Sequence, residues 1–202
     1  MNMMRFLAAP VLVMAMAVPA AAEKLPLSAL SQYLNSLRTA TGAFTQINGD
    51  GSISTGTIYI SRPGNIRFEY APPDSTLVLA GSGSVAIFDP KSNTGPETYP
   101  LSRTPLSIIL ADRVNLEQAR MVRGHSYDGT ATTVTAQDPQ NPDLGNIQLV
   151  FTDNPIQLRQ WVINDDAGNS TTVVLGELRT GTSLAARLFD IQREADRRAQ
   201  DR

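Results

Sequence analysis

Leucines at positions 27, 30, 34 and 37 recur at intervals of three and four, so a single apolar stripe runs through "LPLSALSQYLNSLRTATGAF" at helical period. Pro26 suits the start of that helix and Gly42 its end. From Gly42 to Thr182 the period changes to two. "TGTIYIS", "NIRFEYA", "TLVLA", "SVAIFD", "TATTVTA", "NIQLVFT", "LRQWVIN" and "STTVVLGEL" read as strands. The breaks between them, among them "RPGN", "GSG", "DPQNPDLGN" and "DDAGN", are rich in turn formers. Strands joined by such short breaks pair antiparallel. A run of them without long intervening helices predicts a mainly β protein, either one large curved sheet or an open barrel.

Two further segments break the strand pattern. In "TPLSIILADR", residues 104–113, Thr104 is a candidate N-cap and Pro105 fits the first helical position. Leu106, Ile109 and Leu110 then fall on one face. Near the end, "SLAARLFDIQREADRRAQDR" carries Leu184, Leu188 and Ile191 before a charged stretch, and residues 193–202 are expected to fray.

One position disturbs the alternation. In "GTIYISRPGNIRFEYAPP", Ile58 and Ile60 lie on one face of their strand, and the next residue in phase is Arg62. A cation in register with an apolar face either lifts its head into water at the strand end or has a specific partner.

Residues 1–22, "MNMMRFLAAPVLVMAMAVPAAA", carry a basic Arg5, an apolar run and small residues at the end, the pattern of a secretory leader cut before Glu23. The apolar run is shorter than the roughly 20 residues that span a bilayer. The expected domains are this leader and one domain over 23–202. The full chain has 17 basic and 19 acidic residues, and the leader contains only Arg5 of them, so the remainder is mildly acidic. That is no footprint for nucleic acid. The chain has no cysteine, which excludes disulfides and an acylated cysteine anchor. Stable membrane insertion is not expected.

Catalytic chemistry finds little material. There is one histidine, His125, in the hairpin-like "RGHSYDG", where a surface turn position is expected. No nucleophile elbow, zinc-binding His-Glu-x-x-His or phosphate-cradling loop is present. The acidic pair Asp165-Asp166 sits in a turn, where aspartate is at home, and "DPQNPD" lacks the spaced ligands of a calcium loop. No metal and no cofactor are expected. What remains is a rich apolar face, with Ile58, Ile60, Ile66, Phe68, Tyr70, Leu77, Leu79, Val85 and Ile87 as candidates to line it. Such a face is either ordinary core or the wall of a cavity that takes a hydrophobic ligand.

Three blocks together resemble the LolA family of periplasmic outer-membrane lipoprotein carriers. They are "GAFTQ" (42–46), "SRPGNIRFEYAPPDSTLVLAGSGSVAIFDP" (61–90) and "TPLSIIL" (104–110). The second half, from "QDPQNPDLGN" onward, is similar to the alphaproteobacterial branch. The resemblance implies an unclosed antiparallel half-barrel with short helices as a lid over an apolar cavity. It implies a monomeric carrier, without cofactor or covalent chemistry, that takes acylated lipoproteins from an inner-membrane ABC transporter to an outer-membrane acceptor. It also implies that Arg62 latches the lid helices through their backbone carbonyls, with Leu106, Ile109 and Leu110 on the lid helix. The Arg-rich ending departs from members that carry a further strand and helix there. Rival readings are the outer-membrane acceptor, normally anchored through a cysteine that is missing here, and a sensor or scaffold domain of the same fold. A carboxylate hydrolase has little support.

Overall fold

A computed structural model describes residues 23–92, 94–118 and 120–200. The leader read at 1–22 and its cleavage site lie outside the described residues but for Glu23.

The leucine stripe forms helix α1 (Leu27–Ser36), with Leu30 and Leu34 fully buried. The helix stops well before Gly42, which instead lies inside strand β1 (Thr39–Ile47). The reason is a close approach. A side-chain carbon on Gly42 would stand 2.8 Å from the Glu177 carbonyl oxygen and 2.9 Å from a Leu178 methyl, so this glycine serves strand packing, not a helix cap.

An antiparallel meander follows: β2 (Ile53–Ser61), β3 (Asn65–Tyr70), β4 (Leu77–Gly81), β5 (Ser84–Phe88) and β6 (Glu97–Pro100). A second meander comprises β7 (Val122–Tyr127), β8 (Thr132–Ala136), β9 (Asn146–Thr152), β10 (Gln157–Asn164) and β11 (Ser170–Leu175). The two are joined where β1 pairs with β11, with Phe44 opposite Leu175. The short β12 (Arg179–Thr180) adds to β1. The result is one 12-stranded sheet whose ends are β6 and β7, not closed into a barrel.

Helix α2 (Leu106–Leu110) lies between those two edge strands in the chain and is shorter than the segment read as helical. Thr104 does not cap it. Its hydroxyl donates instead to the Leu101 carbonyl at 2.9 Å, ending the one-turn helix before it. His125 is not in a turn either. It occupies β7, half-buried opposite Val134, with Nε2 2.9 Å from the Leu25 carbonyl oxygen. The turn chemistry nearby belongs to Asp128 and Gly129, beyond the strand.

The concave face holds the main core. Leu30 and Leu34 of α1 and Leu106, Ile108, Ile109 and Leu110 of α2 pack over Phe44, Ile58, Ile66, Phe68 and Trp161. Phe44 meets Phe68 and Tyr70 edge-on at 5.3 and 5.1 Å, and Phe68 meets Trp161 at 6.2 Å. These edge-to-face contacts tie the two meanders across the interior.

The convex face carries a second apolar cluster, and here two expectations fail. Leu77 and Leu79 belong to it, with Ala86, Phe88 and Phe189, and do not line the concave side. "TLVLA" is apolar in both phases, so periodicity could not assign its faces. The register does: Leu79 pairs with Arg67 and Val78 with Phe68, which sends the leucines outward. The cluster is covered by the C-terminal segment, and residues 193–200 do not fray. They continue helix α3 (Ile191–Gln200), docked by Glu194, which is only 8% exposed.

Burial pushes the Glu194 carboxyl up, but hydrogen bonds from Arg197 at 2.6 Å and Arg198 at 2.9 Å, with the nearby charge of Arg67, outweigh it and hold it below the ordinary value of 4.5. A depressed native value means stabilisation that is complete above the unfolded value and lost as the pH falls through the native one. Docking of α3 is therefore expected to be independent of pH above about 4.5 and to weaken below it. Amide exchange of residues 184–200 measured between pH 3 and 7 checks this, and Glu194→Gln should remove the dependence.

Candidate site at the mouth of the half-barrel

Arg62 follows the last residue of β2, and strand alternation turns it toward the concave side with Ile58 and Ile60. It is 7% exposed, and its guanidinium has partners. Nη1 donates to the Leu34 carbonyl of α1, and Nη2 donates to the Ala111 carbonyl at the end of α2, at 2.6 Å. The last carbonyls of a helix lack intrahelical donors, so Ala111 at the end of α2 is a natural acceptor. Burial lowers the affinity of Arg62 for its proton, Arg38 lowers it further, and Asp112 opposes both. Arginine keeps its charge through such a shift and spans two carbonyls with one planar fork, which lysine cannot do. The adjoining turn adds a third bond, from the Gly64 amide to the Leu110 carbonyl at 2.9 Å.

The two elements that Arg62 touches are also fastened to each other. The Asn35 amide group donates to the Val114 carbonyl and accepts from the Val114 amide, both at 2.8 Å. Ser31 Oγ accepts from the Leu116 amide at 3.0 Å while donating to Leu27 at 2.7 Å. An exposed ion pair between Arg38 and Asp112, at 3.7 Å, adds little. Helix α1, α2 and the segment after α2 thus form one cross-linked cover. Sequence reading did not find Ser31, Asn35 or Ile108, which is buried with its neighbours. The spacing of four between Ser31 and Asn35 on the α1 helix was the available signal, a polar pair on one helical face.

Beneath the cover, Ile58, Ile60, Ile66, Phe68 and Val85 are all buried in the concave cluster, as are Leu106, Ile109 and Leu110 above them. Tyr70 is half-buried, and its hydroxyl donates to Gln46 Oε1 at 2.5 Å. Burial, with the charge of Asp74 adding to it, pushes this phenol up to about 12. Ile87 is half-buried and stands opposite Val78 on the same face as Val85. Three buried side-chain polar atoms have no partner among the described residues: Arg62 Nε, the indole N–H of the fully buried Trp161, and Thr182 Oγ1, just after β12.

The site offers apolar surface and hydrogen-bond donors. Among the described residues no group of three or more His, Asp or Glu side chains could hold a metal ion, and no helix is long and apolar enough to cross a membrane. Asp165 accepts from the Ala167 and Asn169 amides and so shapes its turn.

Comparison with known proteins gives the site a context. The profile of the family described as "Outer membrane lipoprotein carrier protein LolA" matches residues 35–192, more than half of the chain. An outer-membrane lipoprotein carrier protein from Azotobacter vinelandii is 22% identical over 182 residues, covering 86% of this chain and 87% of its own. One from Methylococcus capsulatus is 25% identical over 175 residues, covering 83% and 84%. Among solved structures, a LolA superfamily protein from Nitrosomonas europaea aligns with a TM-score of 0.43 at 8% identity, over 82% of this chain and 98% of that one. On the match over residues 35–192, the chain belongs to the LolA family of outer membrane lipoprotein carrier proteins.

Proposed function

We propose that the acyl chains of a lipoprotein take the place of the cover on the concave face, and that Arg62 is the latch of that cover. A periplasmic lipoprotein carrier role follows from family membership. The finer reading extends it: cargo enters from an inner-membrane transporter, leaves to an outer-membrane acceptor, and no covalent bond is made or broken. Removal of residues 1–22, which would leave a monomeric carrier in the periplasm, is part of the same proposal.

The observation that carries the reading is the pair of bonds from one buried guanidinium to the carbonyls of two lid elements. Its importance follows from magnitudes. Each buried Leu or Ile of the cover contributes about 1.5–3 kcal/mol on closing, so apolar contact outweighs the polar bonds in total. An acyl chain, however, offers the concave face equivalent apolar contact, at about 0.8 kcal/mol per CH₂. On exchanging cover for cargo the apolar terms cancel to first order, while the Arg62 bonds, about 1.5–3 kcal/mol for bonds to a charged group, are simply lost. They therefore set the balance between closed, empty protein and open, loaded protein. The unused donors Arg62 Nε and Trp161 Nε1 support the reading further, since an acyl group brings a carbonyl oxygen that can accept.

Arg62→Leu keeps side-chain bulk and removes every donor. The variant is expected to take up lipoprotein from inner membranes but pass it on poorly, so that the loaded fraction recovered from the periplasm rises about tenfold, the equivalent of 1.4 kcal/mol. Arg62→Lys should fall between parent and Arg62→Leu. Transfer to outer-membrane vesicles at the parental rate by Arg62→Leu would remove the latch.

Ile109→Asp tests the cover from the other side. A charge at this 5%-exposed position puts a carboxylate on the apolar face that the cover would offer to bound acyl chains, and lipid binding per folded molecule should drop. A lower Tm with unchanged binding per folded molecule would make Ile109 plain core.

Trp161→Phe keeps a ring in the interior and removes a donor without a partner, so stability should change by less than about 1 kcal/mol beyond the lost area. Binding of a fatty-acid ester should weaken relative to a hydrocarbon of equal length, measured side by side by titration calorimetry. Equal losses for both ligands would show that the indole N–H meets no carbonyl.

A further inference from the structure

The hairpin that carries Arg62 contains a second buried arginine. Arg67 lies in β3, and alternation points it to the convex side, away from Ile66 and Phe68. It is 8% exposed. Its Nε donates to Glu69 Oε1 at 2.7 Å, Nη1 to the Leu188 carbonyl at 3.0 Å, and Nη2 stands 3.6 Å from Glu194. Leu188 and Glu194 both belong to the C-terminal segment, which crosses the outer face of the sheet as a strap. At Gly81 the strap lies so close that a side-chain carbon would collide with the Phe189 carbonyl oxygen. Arg198, bonded to Glu194, also lies over the Phe88 ring at 5.1 Å.

The two arginines act alike on opposite faces. Arg62 holds the cover through carbonyls of α1 and α2, and Arg67 holds the strap through a carbonyl of its one-turn helix, residues Ala186–Phe189. Between them run only the turn and the start of β3, paired Ser61 with Asn65 and Ile60 with Ile66. Asn65 Nδ2 braces the turn by donating to the Ser61 and Pro63 carbonyls at 3.1 and 3.0 Å. A hairpin clamped on its outer face presents its tip in one place, and a guanidinium reaching two carbonyls tolerates little displacement.

We infer that Arg67 is a positioning residue for the lid: clamped to the strap by Leu188 and Glu194, it fixes the β2–β3 hairpin so that Arg62 and Gly64 meet the carbonyls of α1 and α2. The strap on the convex face is thereby coupled to the cover on the concave one. Release of the strap loosens the cover, and by linkage release of the cover loosens the strap by the same factor. This rests on the reading of Arg62 as the latch.

Hydrogen exchange on the empty protein tests it without any lipoprotein. The lid is followed at residues 27–36 and 106–116, the strap at residues 184–200. Glu194→Gln keeps shape and removes the strap's charge that faces Arg67, leaving that of Glu69 in β3. It should raise exchange of the lid about five- to tenfold, the lower part of the usual range for coupled sites. Arg62→Leu should raise exchange of the strap by a similar factor. The double variant should show less than the product of the two lid effects, because both act through one latch. Arg198→Gln, at a half-buried position, provides a milder loosening of the same clamp should Glu194→Gln not fold. Faster strap exchange with parental lid exchange would overturn the inference and leave the strap as packing alone. If Arg62→Leu itself leaves the lid unchanged, the latch fails, and the positioning role falls with it.

Discussion

A sheet that does not close leaves an apolar concave face that must be covered in water. Everything else here follows from how that cover is attached. A permanent cover would need apolar contact alone. The cover of this protein shares the aliphatic and aromatic core of the concave face and is in addition fixed to the sheet rim by a few hydrogen bonds around one guanidinium. Apolar contact is non-directional and interchangeable between a leucine and a lipid. Hydrogen bonds to fixed carbonyls are not. That division of labour is what the proposed exchange of cover for cargo requires.

Around that attachment the molecule is built in two layers. On the inside, α1, α2 and the segment through Leu116 are knitted together by Ser31 and Asn35 into one cross-linked cover. On the outside, the C-terminal strap covers Leu77, Leu79 and Phe88 and closes over the buried ion network of Arg67 and Glu194. A buried ion pair is weak evidence for net stability. Its value here is geometric, since it fixes the strap's register on a particular strand.

Much of this was legible from period and spacing, and the limits have physical causes. Strands such as β8 and β9 alternate cleanly, short turn-rich breaks separate the strands, and the open sheet follows from them. The phase of Arg62 marked it as anomalous, but its acceptors are backbone carbonyls, which no side-chain pattern encodes. Leu77 and Leu79 were assigned to the wrong face because "TLVLA" is apolar in both phases, and only pairing with β3 settles the choice. The charged ending read as frayed because Glu194 looks like any surface glutamate in sequence, while its burial depends on Arg67, far away along the chain. Gly42 fits a helix end by sequence, yet its missing side chain serves contact with Glu177 and Leu178. The misses at Glu194 and Gly42 concern partners distant in sequence.

The central claim is that acyl chains occupy the concave face in place of the cover. The most direct measurement is photocrosslinking from a probe in the acyl chain of a lipoprotein released from spheroplasts by this protein. The account predicts a soluble complex with adducts on concave residues such as Ile58, Phe68 and Trp161, and none on Leu77 or Leu79. Adducts confined to the convex face, or no soluble complex, would contradict it.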